Sequence, residues 1–292
     1  MRSAIEQRNL GALRVGAIAL GTASMSLGVE RDDARSIRTI REAIDNGVTL
    51  IDTAHAYTTV DELGHAERLV RDAIAGNPER DRLLIATKGG HSRAGQSDFP
   101  IDARPATLRA HLQMSLRALG VDQVDLYQLH HPDPAVPIEE SVGALAEFQV
   151  EGLVRMIGIS NCDLSLVSRA LSAATICSVQ NELSPSRTVD LPLIRFLEQR
   201  KMTYLSYAPF GGAVRSRALA SDLPTASRIA ASRDISIHQL VLAWQLRISP
   251  AIIPVVGASR PSTIGEAASA VGADISAEEW DAIAAAGELQ SA

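Results

Sequence analysis

The chain has 292 residues, of which 46% are hydrophobic and 21% charged, and its formal net charge is -6. That composition supports a core of ordinary size without staples, while the acidic balance argues against a nucleic-acid partner, which needs a basic surface. Two cysteines, Cys162 and Cys177, show neither a CxxC nor a metal-ligand spacing, which speaks against a disulfide framework and for a reducing compartment.

The opening stretch, "MRSAIEQRNLGALRV", has no apolar h-region, and no apolar run nears the ~20 residues of a membrane helix. These features predict a cytoplasmic protein without a membrane partner, monomeric or a weak homo-oligomer. "RNLGALRV" predicts a small β-hairpin turned at Gly11 and Ala12 that would plug the bottom of a barrel; a frayed terminus is the alternative.

Downstream, short β-rich runs alternate with longer segments of helical period. "AIAL" (17–20) comes first. Residues 33–46 then repeat Ile37, Ile40 and Ile44 at three- and four-residue steps and stop at Gly47. "VTLID" (48–52) and "RLLIATK" (82–88) are the next two runs. A second helical repeat, Leu108, Leu112, Leu116 and Leu119, ends on Gly120, ahead of "VDLYQLH" (124–130). Residues 138–151 end on Gly152, ahead of "VRMIGIS" (154–160). "CSVQNE" (177–182), "MTYLSYAP" (202–209) and "AIIPVVGA" (251–258) complete eight runs. Helix, glycine, strand is the joint expected of αβ units. The alternation implies parallel strands joined by right-handed crossovers. Eight units fit a closed (β/α)8 TIM barrel, with residues 1–292 as a single domain. An open doubly wound sheet is the competing fold, but its GxGxxG fingerprint is missing from "LGTASMSLG".

A barrel of this kind carries its active site at the carboxyl ends of the strands. There the second run delivers Asp52, with Tyr57 on its loop, the third Lys88 and the fourth His130. The fifth ends in Ser160 and Asn161, the sixth carries Gln180, the seventh Tyr207, and the eighth leads into "GASRPS". Each residue alone has a plain structural reading: a solvated lysine, a turn histidine before His131 and Pro132, an acid serving as N-cap or salt-bridge partner. Together they converge on one rim from distant parts of the chain. A charge that closes an apolar strand is costly unless paired, and Asp52 with Lys88 is the obvious pair. Tyrosine has an ordinary pKa of about 10, too high for an efficient proton donor near neutrality, and a cation held close lowers it. The expectation is that Asp52 supports Lys88, that Lys88 lowers the pKa of Tyr57, and that His130 hydrogen-bonds the reacting oxygen.

With these residues in view, the chain resembles the aldo-keto reductase superfamily nearly end to end. The motifs are "GVTLIDTAHAY", "LIATKGG", "DLYQLHHPD", "GISN", "VQNE", "YAPFGG" and "IIPVVGASRPSTIGE". The resemblance implies a (β/α)8 barrel that moves hydride between a nicotinamide cofactor and a carbonyl without metal. Asp52, Tyr57, Lys88 and His130 would be its catalytic tetrad. It also implies that Ser160, Asn161 and Gln180 hold the nicotinamide carboxamide, which needs both donors and acceptors, and that Tyr207 stacks on the ring. Gly21, Thr22 and Asp52, then Ala208, Pro209, Phe210 and Gly211, and finally Gly257, Ser259, Arg260, Thr263 and Glu266 complete the implied cofactor residues. Pro261 at the first position of a helix leaves free N–H groups that make a phosphate cradle with Ser259 and Arg260. "GGAVRSRAL" either folds over the pyrophosphate or is a solvated surface loop. Thr263 and Ala267 stand where the family often has an arginine and an asparagine, so Arg260 is the candidate for a 2′-phosphate. NADPH is expected over NADH.

Substrate is expected against Ala23, Met25, Tyr57, His91 and His131. Aromatic content of 3% and the small Ala23 point to a roomy pocket. His91, Arg93, Gln96 and Asp98 make "GGHSRAGQSDFP" polar, or simply face water. A small polar carbonyl, sugar-derived or cofactor-derived, or the matching alcohol, is the expected partner. The alternative is a cofactor-sensing regulatory subunit with little turnover. A metal-using barrel hydrolase lacks the ligand spacing.

Overall fold

The computed structural model describes residues 6–28, 31–95 and 98–290. An antiparallel hairpin, β1 (Gln7–Leu10) and β2 (Leu13–Gly16), stands apart from a closed barrel. The barrel strands are β3 (Ala19–Gly21), β4 (Leu50–Asp52), β5 (Leu84–Gly89), β6 (Val124–Leu129), β7 (Val154–Ser160), β8 (Ser178–Glu182), β9 (Thr203–Tyr207) and β10 (Ile252–Gly257). They pair in parallel in chain order, and β10 closes onto β3. The predicted barrel and hairpin are both present. Several strands are shorter than the runs read from sequence, because Ala17, Ile18 and Val48 are buried without joining a ladder.

The helical repeats form Asp33–Asp45, Pro105–Leu119 and Ile138–Val150, with Ile40, Ile44, Leu108, Leu112 and Leu119 turned inward and buried. Gly120 ends the second of these at φ 67, a left-handed conformation that glycine adopts without a steric penalty.

Side chains two apart on a strand share a face. Leu50, Leu84, Ala86, Leu126, Leu205 and Ile253 form one buried cluster inside the barrel. One inward step further toward the carboxyl ends stand Asp52, Lys88, Gln128 and Tyr207. Leu10 and Val15 of the hairpin join the same cluster from the other end, and Thr203 Oγ1 donates to the Asn9 carbonyl at 2.8 Å. The hairpin therefore closes the amino end, and the polar layer faces the opposite mouth. A larger apolar cluster fills the space between strands and helices.

Candidate active site

The β4–β5 register pairs Asp52 with Ala86, so Lys88 lies one inward step beyond it. Lys88 is fully buried; its Nζ donates to Asp52 Oδ2 at 2.5 Å and to the Thr53 carbonyl at 3.0 Å. The same ammonium lies 5.1 Å from the centroid of the Tyr57 ring. His130, just past β6, meets Tyr57 edge-on, with centroids 5.7 Å apart and planes at 84°. The four residues expected to gather do so. Asp52 Oδ1 accepts two further hydrogen bonds, from Gln180 Nε2 at 2.8 Å and Gln128 Nε2 at 3.3 Å. A carboxylate this deep is tolerable only with its charge and lone pairs satisfied.

Burial alone would push the Lys88 ammonium down, but Asp52, with Tyr57, more than offsets this and holds its pKa above the ordinary lysine value. Tyr57 departs from the sequence expectation. Its ring reaches the rim while its hydroxyl end is enclosed, and burial raises its pKa. Lys88 pulls downward as anticipated, Asp52 pushes upward again, and the net direction is up. The phenol is therefore fully protonated at neutral pH. For His130, burial first, then Lys88 and the imidazoles of His91, His131 and His55, hold the ring neutral, well below the ordinary histidine range. Its Nδ1 is buried without a partner among the described residues.

The residues expected at the cofactor carboxamide are brought together but hold one another. Ser160 Oγ donates to the Gln180 carbonyl at 2.7 Å. Asn161, at φ 60, donates through Nδ2 to the His130 carbonyl at 2.9 Å and accepts the Tyr207 hydroxyl at 2.8 Å. With Gln180 Nε2 on Asp52, Gln180 Oε1 is the acceptor left open among the described residues. Thr22 is fully buried, and its N–H and Oγ1 both donate to the Asp52 carbonyl, at 3.0 and 3.1 Å, so it secures the ends of β3 and β4. Gly21 packs on Val255.

A cleft of about 480 Å³ runs past Phe210, Gly257, Ser259, Arg260, Thr263 and Glu266. Arg260 caps the helix Pro261–Ser269, which opens on proline as anticipated. "GGAVRSRAL" is not a loop: it begins the helix Gly212–Asp222, because alanine, arginine and leucine favour helix once past the glycines, and it borders the cleft. That helix adds Arg217 to the cleft, and His238 joins it from the helix Ile237–Ile248. Ala208 at φ 46 and Gly211 at φ 74 make a tight turn closed by Gly211 N–H to the Ala208 carbonyl at 2.8 Å. Within it, the Pro209 carbonyl accepts from Gln245 Nε2 at 3.2 Å.

On the substrate side, Ala23 opens the short helix Ala23–Leu27, but Met25 packs into the core at 3% exposure and has little surface to offer. His131 Nδ1 lies 2.9 Å from the Pro132 carbonyl. Gln96 falls outside the described residues. Arg93 is engaged within the protein: it donates to the carbonyls of Gly95 (2.9 Å), Ser26 (3.4 Å) and Thr58, tying together the segments after β3, β4 and β5. Sequence reasoning passed over Gln128, His238 and a buried pair, His55 and His111; Arg217 lay within the "GGAVRSRAL" segment but was not singled out. Gln128 had a signal, since it stands two before His130 and so shares its face.

Among the described residues, no cluster of three or more His, Cys, Asp or Glu is arranged to hold a metal ion. No helix there is long and apolar enough to cross a membrane. The model of the aldo/keto reductase family matches residues 17–288. Pyridoxine 4-dehydrogenase of Escherichia coli is 32% identical over 82% of this chain and 82% of its own length. The structure of a glycerol dehydrogenase from Gluconobacter oxydans superposes with a TM-score of 0.83 at 25% identity, covering 96% of this chain and 94% of that one. An aldo/keto reductase from Klebsiella pneumoniae, solved in complex with NADP and acetate, gives 0.81 at 27% identity, covering 99% and 98%. A match across almost the whole chain, with a closed barrel beneath it, means that this chain belongs to the aldo/keto reductase family.

Proposed function

We propose that the chain reduces an aldehyde or ketone to the alcohol with NADPH, Tyr57 donating the proton, and that the same site runs the reverse oxidation. The observation that carries this is the fully buried Lys88 ammonium, held by Asp52 at 2.5 Å and set over Tyr57 at 5.1 Å, with His130 edge-on to the same ring. The 480 Å³ cleft fits a nucleotide. Its two guanidiniums, Arg217 and Arg260, and the helix N-terminus at Pro261 suit phosphates. A side chain at Gly257 would project into open space, and the open Gln180 Oε1 suits a carboxamide N–H. Bound there, the nicotinamide supplies the hydride.

The protein's own part is the proton. A carbonyl oxygen held between Tyr57 and His130 takes a hydrogen bond from the neutral imidazole and the proton from the phenol as hydride reaches carbon. Burial keeps that phenol loaded at neutral pH, and Lys88 then faces the phenolate left behind, which lowers the cost of forming it in a low-dielectric site. Asp52 keeps the ammonium charged and in place. Tyr207, fixed through its hydroxyl to Asn161 at 2.8 Å, would cover one face of the nicotinamide.

The relatives named for pyridoxine and glycerol support a small polar substrate. The same reading takes the protein as cytoplasmic. No observation favours the regulatory-subunit alternative. The test is a titration of NADPH and NADH followed by a carbonyl screen, on wild type and Arg260→Ala. The substitution should weaken NADPH about tenfold or more while NADH changes far less, since charge-assisted bonds to phosphate are the strong ones. Equal losses would remove Arg260 as the 2′-phosphate reader, and absence of turnover with any carbonyl would sink the reductase reading itself.

A further inference from the structure

His91 stands three residues beyond Lys88, half-buried at the mouth. Its ring lies 4.8 Å from that of His130, at 67°, and 5.8 Å from that of His131. Neither of its ring nitrogens has a hydrogen-bond partner among the described residues. The residue is nonetheless firmly held. Its backbone bridges to Ile101. Gly90 N–H donates to His111 Nδ1 at 3.2 Å, which makes Nδ1 the acceptor and leaves the hydrogen on Nε2. His111 Nε2 in turn lies 3.3 Å from Ser92 Oγ. One buried imidazole thus anchors both chain neighbours of His91. His111 is itself stacked on His55, with centroids 4.0 Å apart and planes at 20°.

This platform carries no charge at neutral pH. Burial, then the neighbouring imidazole of His111, lowers His55 to about 4. Burial also lowers His111, with Asp102 opposing it. Burial and then His131 hold His91 below the ordinary histidine value. A neutral imidazole with both nitrogens open among the described residues offers one donor and one acceptor, the combination a hydroxyl uses. His130, in edge contact with His91, is already assigned to the reacting oxygen. With the two rings 4.8 Å apart, a hydroxyl on the carbon adjacent to the carbonyl is close enough to reach His91 while the carbonyl oxygen is held by His130. Arg93, two residues further on, keeps its charge but spends its donors on backbone carbonyls, so the polar group that His91 itself offers a ligand is a neutral one.

We propose that His91 is a specificity residue that hydrogen-bonds a hydroxyl on the carbon beside the reacting carbonyl, making uncharged α-hydroxy aldehydes and ketones the preferred substrates. The proposal rests on the reductase reading above. The test measures kcat/KM at saturating NADPH for two matched pairs, hydroxyacetone against acetone and glyceraldehyde against propanal. Wild type should favour the hydroxylated member of each pair about tenfold or more, the discrimination a dedicated hydrogen bond provides. His91→Phe keeps a flat ring but removes both nitrogens, and the hydroxylated-to-deoxy ratio should fall about tenfold. His91→Gln, which restores a donor and an acceptor, should recover part of it. An unchanged ratio in His91→Phe overturns the proposal, whatever the absolute rates do. Wild-type preference for acetone and propanal overturns it while leaving the reductase reading standing. Failure to reduce any of the four by protein that binds NADPH overturns both.

Discussion

The two ends of the barrel each bury a cation, and they use it differently. At the amino end Arg8, 7% exposed, donates through Nη1 to the Ser249 and Ile252 carbonyls and through Nη2 to the Leu246 carbonyl, each at 2.7 Å. Burial lowers its pKa, with Glu6 opposing, yet a guanidinium remains charged throughout. At the carboxyl end Lys88 has one backbone carbonyl, one carboxylate and one phenol for neighbours. Among the described residues, the one titratable partner of Arg8, Glu6, accepts from Nε at 3.3 Å as a carboxylate with no hydrogen to give, and backbone dipoles do not titrate, so the charge of Arg8 serves to join β1 to β10 and the helix before it. The neighbours of Lys88 do titrate, so its charge reaches a proton. A buried cation is structural when none of its partners carries a transferable hydrogen and chemical when one does.

The sharpest way to break that contrast is to remove the proton carrier. Tyr57→Phe should lower kcat for reduction about 10³-fold or more, the upper range for loss of a positioned acid, while NADPH still binds. Near-normal turnover in a steady-state assay would remove Tyr57 as donor. Next comes the cation. Lys88→Met strands Asp52 as an unpaired buried carboxylate, and stability should fall by about 3–5 kcal/mol. In addition, single-turnover rates of the folded fraction should fall about 10²-fold. Normal chemistry per folded molecule would make Lys88 a second Arg8.

The pH dependence is a smaller effect with a defined sign. Reduction needs Tyr57 protonated, and its raised pKa keeps it so across neutrality. The rate should stay flat there and decline only above about pH 10, tyrosine's ordinary value. His130 is held neutral well below its ordinary range, so no acid limb should appear near pH 6.5. The same shift in Tyr57 adds stability that is complete below tyrosine's unfolded pKa and is lost as pH rises through the raised folded one. A kcat profile with an acid limb near 6.5 would mean that His130 titrates in the complex and that its neighbours do not hold it neutral.

Much of this could be read from the chain because it is local. Alternating runs, glycine stops and charges that close apolar strands are visible in short windows, which is why the barrel and the positions of Asp52, Lys88 and His130 were legible. The direction of the Tyr57 shift was not, since it depends on how deeply the hydroxyl sits. A pairwise argument weighs the Lys88 cation and omits the larger desolvation cost. His111 lies within the Leu108 and Leu112 repeat of its helix and passes for a core residue. Its role emerges only when Gly90, Ser92 and His55 arrive from other elements. The engagement of Asn161 with Tyr207 is of the same kind, a contact between β7 and β9 that no window of sequence contains.

The smallest effect on catalysis, and the control for the whole comparison, belongs to Arg8. Arg8→Met leaves the stem volume in place but takes the donors away from the carbonyls of Ser249, Ile252 and Leu246. Leaving buried acceptors unsatisfied costs about 1–3 kcal/mol, which should appear as a lower denaturation midpoint with an unchanged slope. The hairpin lies across the barrel from Tyr57, and the apolar cluster of Leu50, Leu84, Leu126 and Leu205 separates them. The kcat of the folded protein and its alkaline limb should therefore match wild type. A shifted alkaline limb in Arg8→Met would show that the charge at the amino end reaches the phenol through the core. The division between a structural cation and a chemical one would then fail.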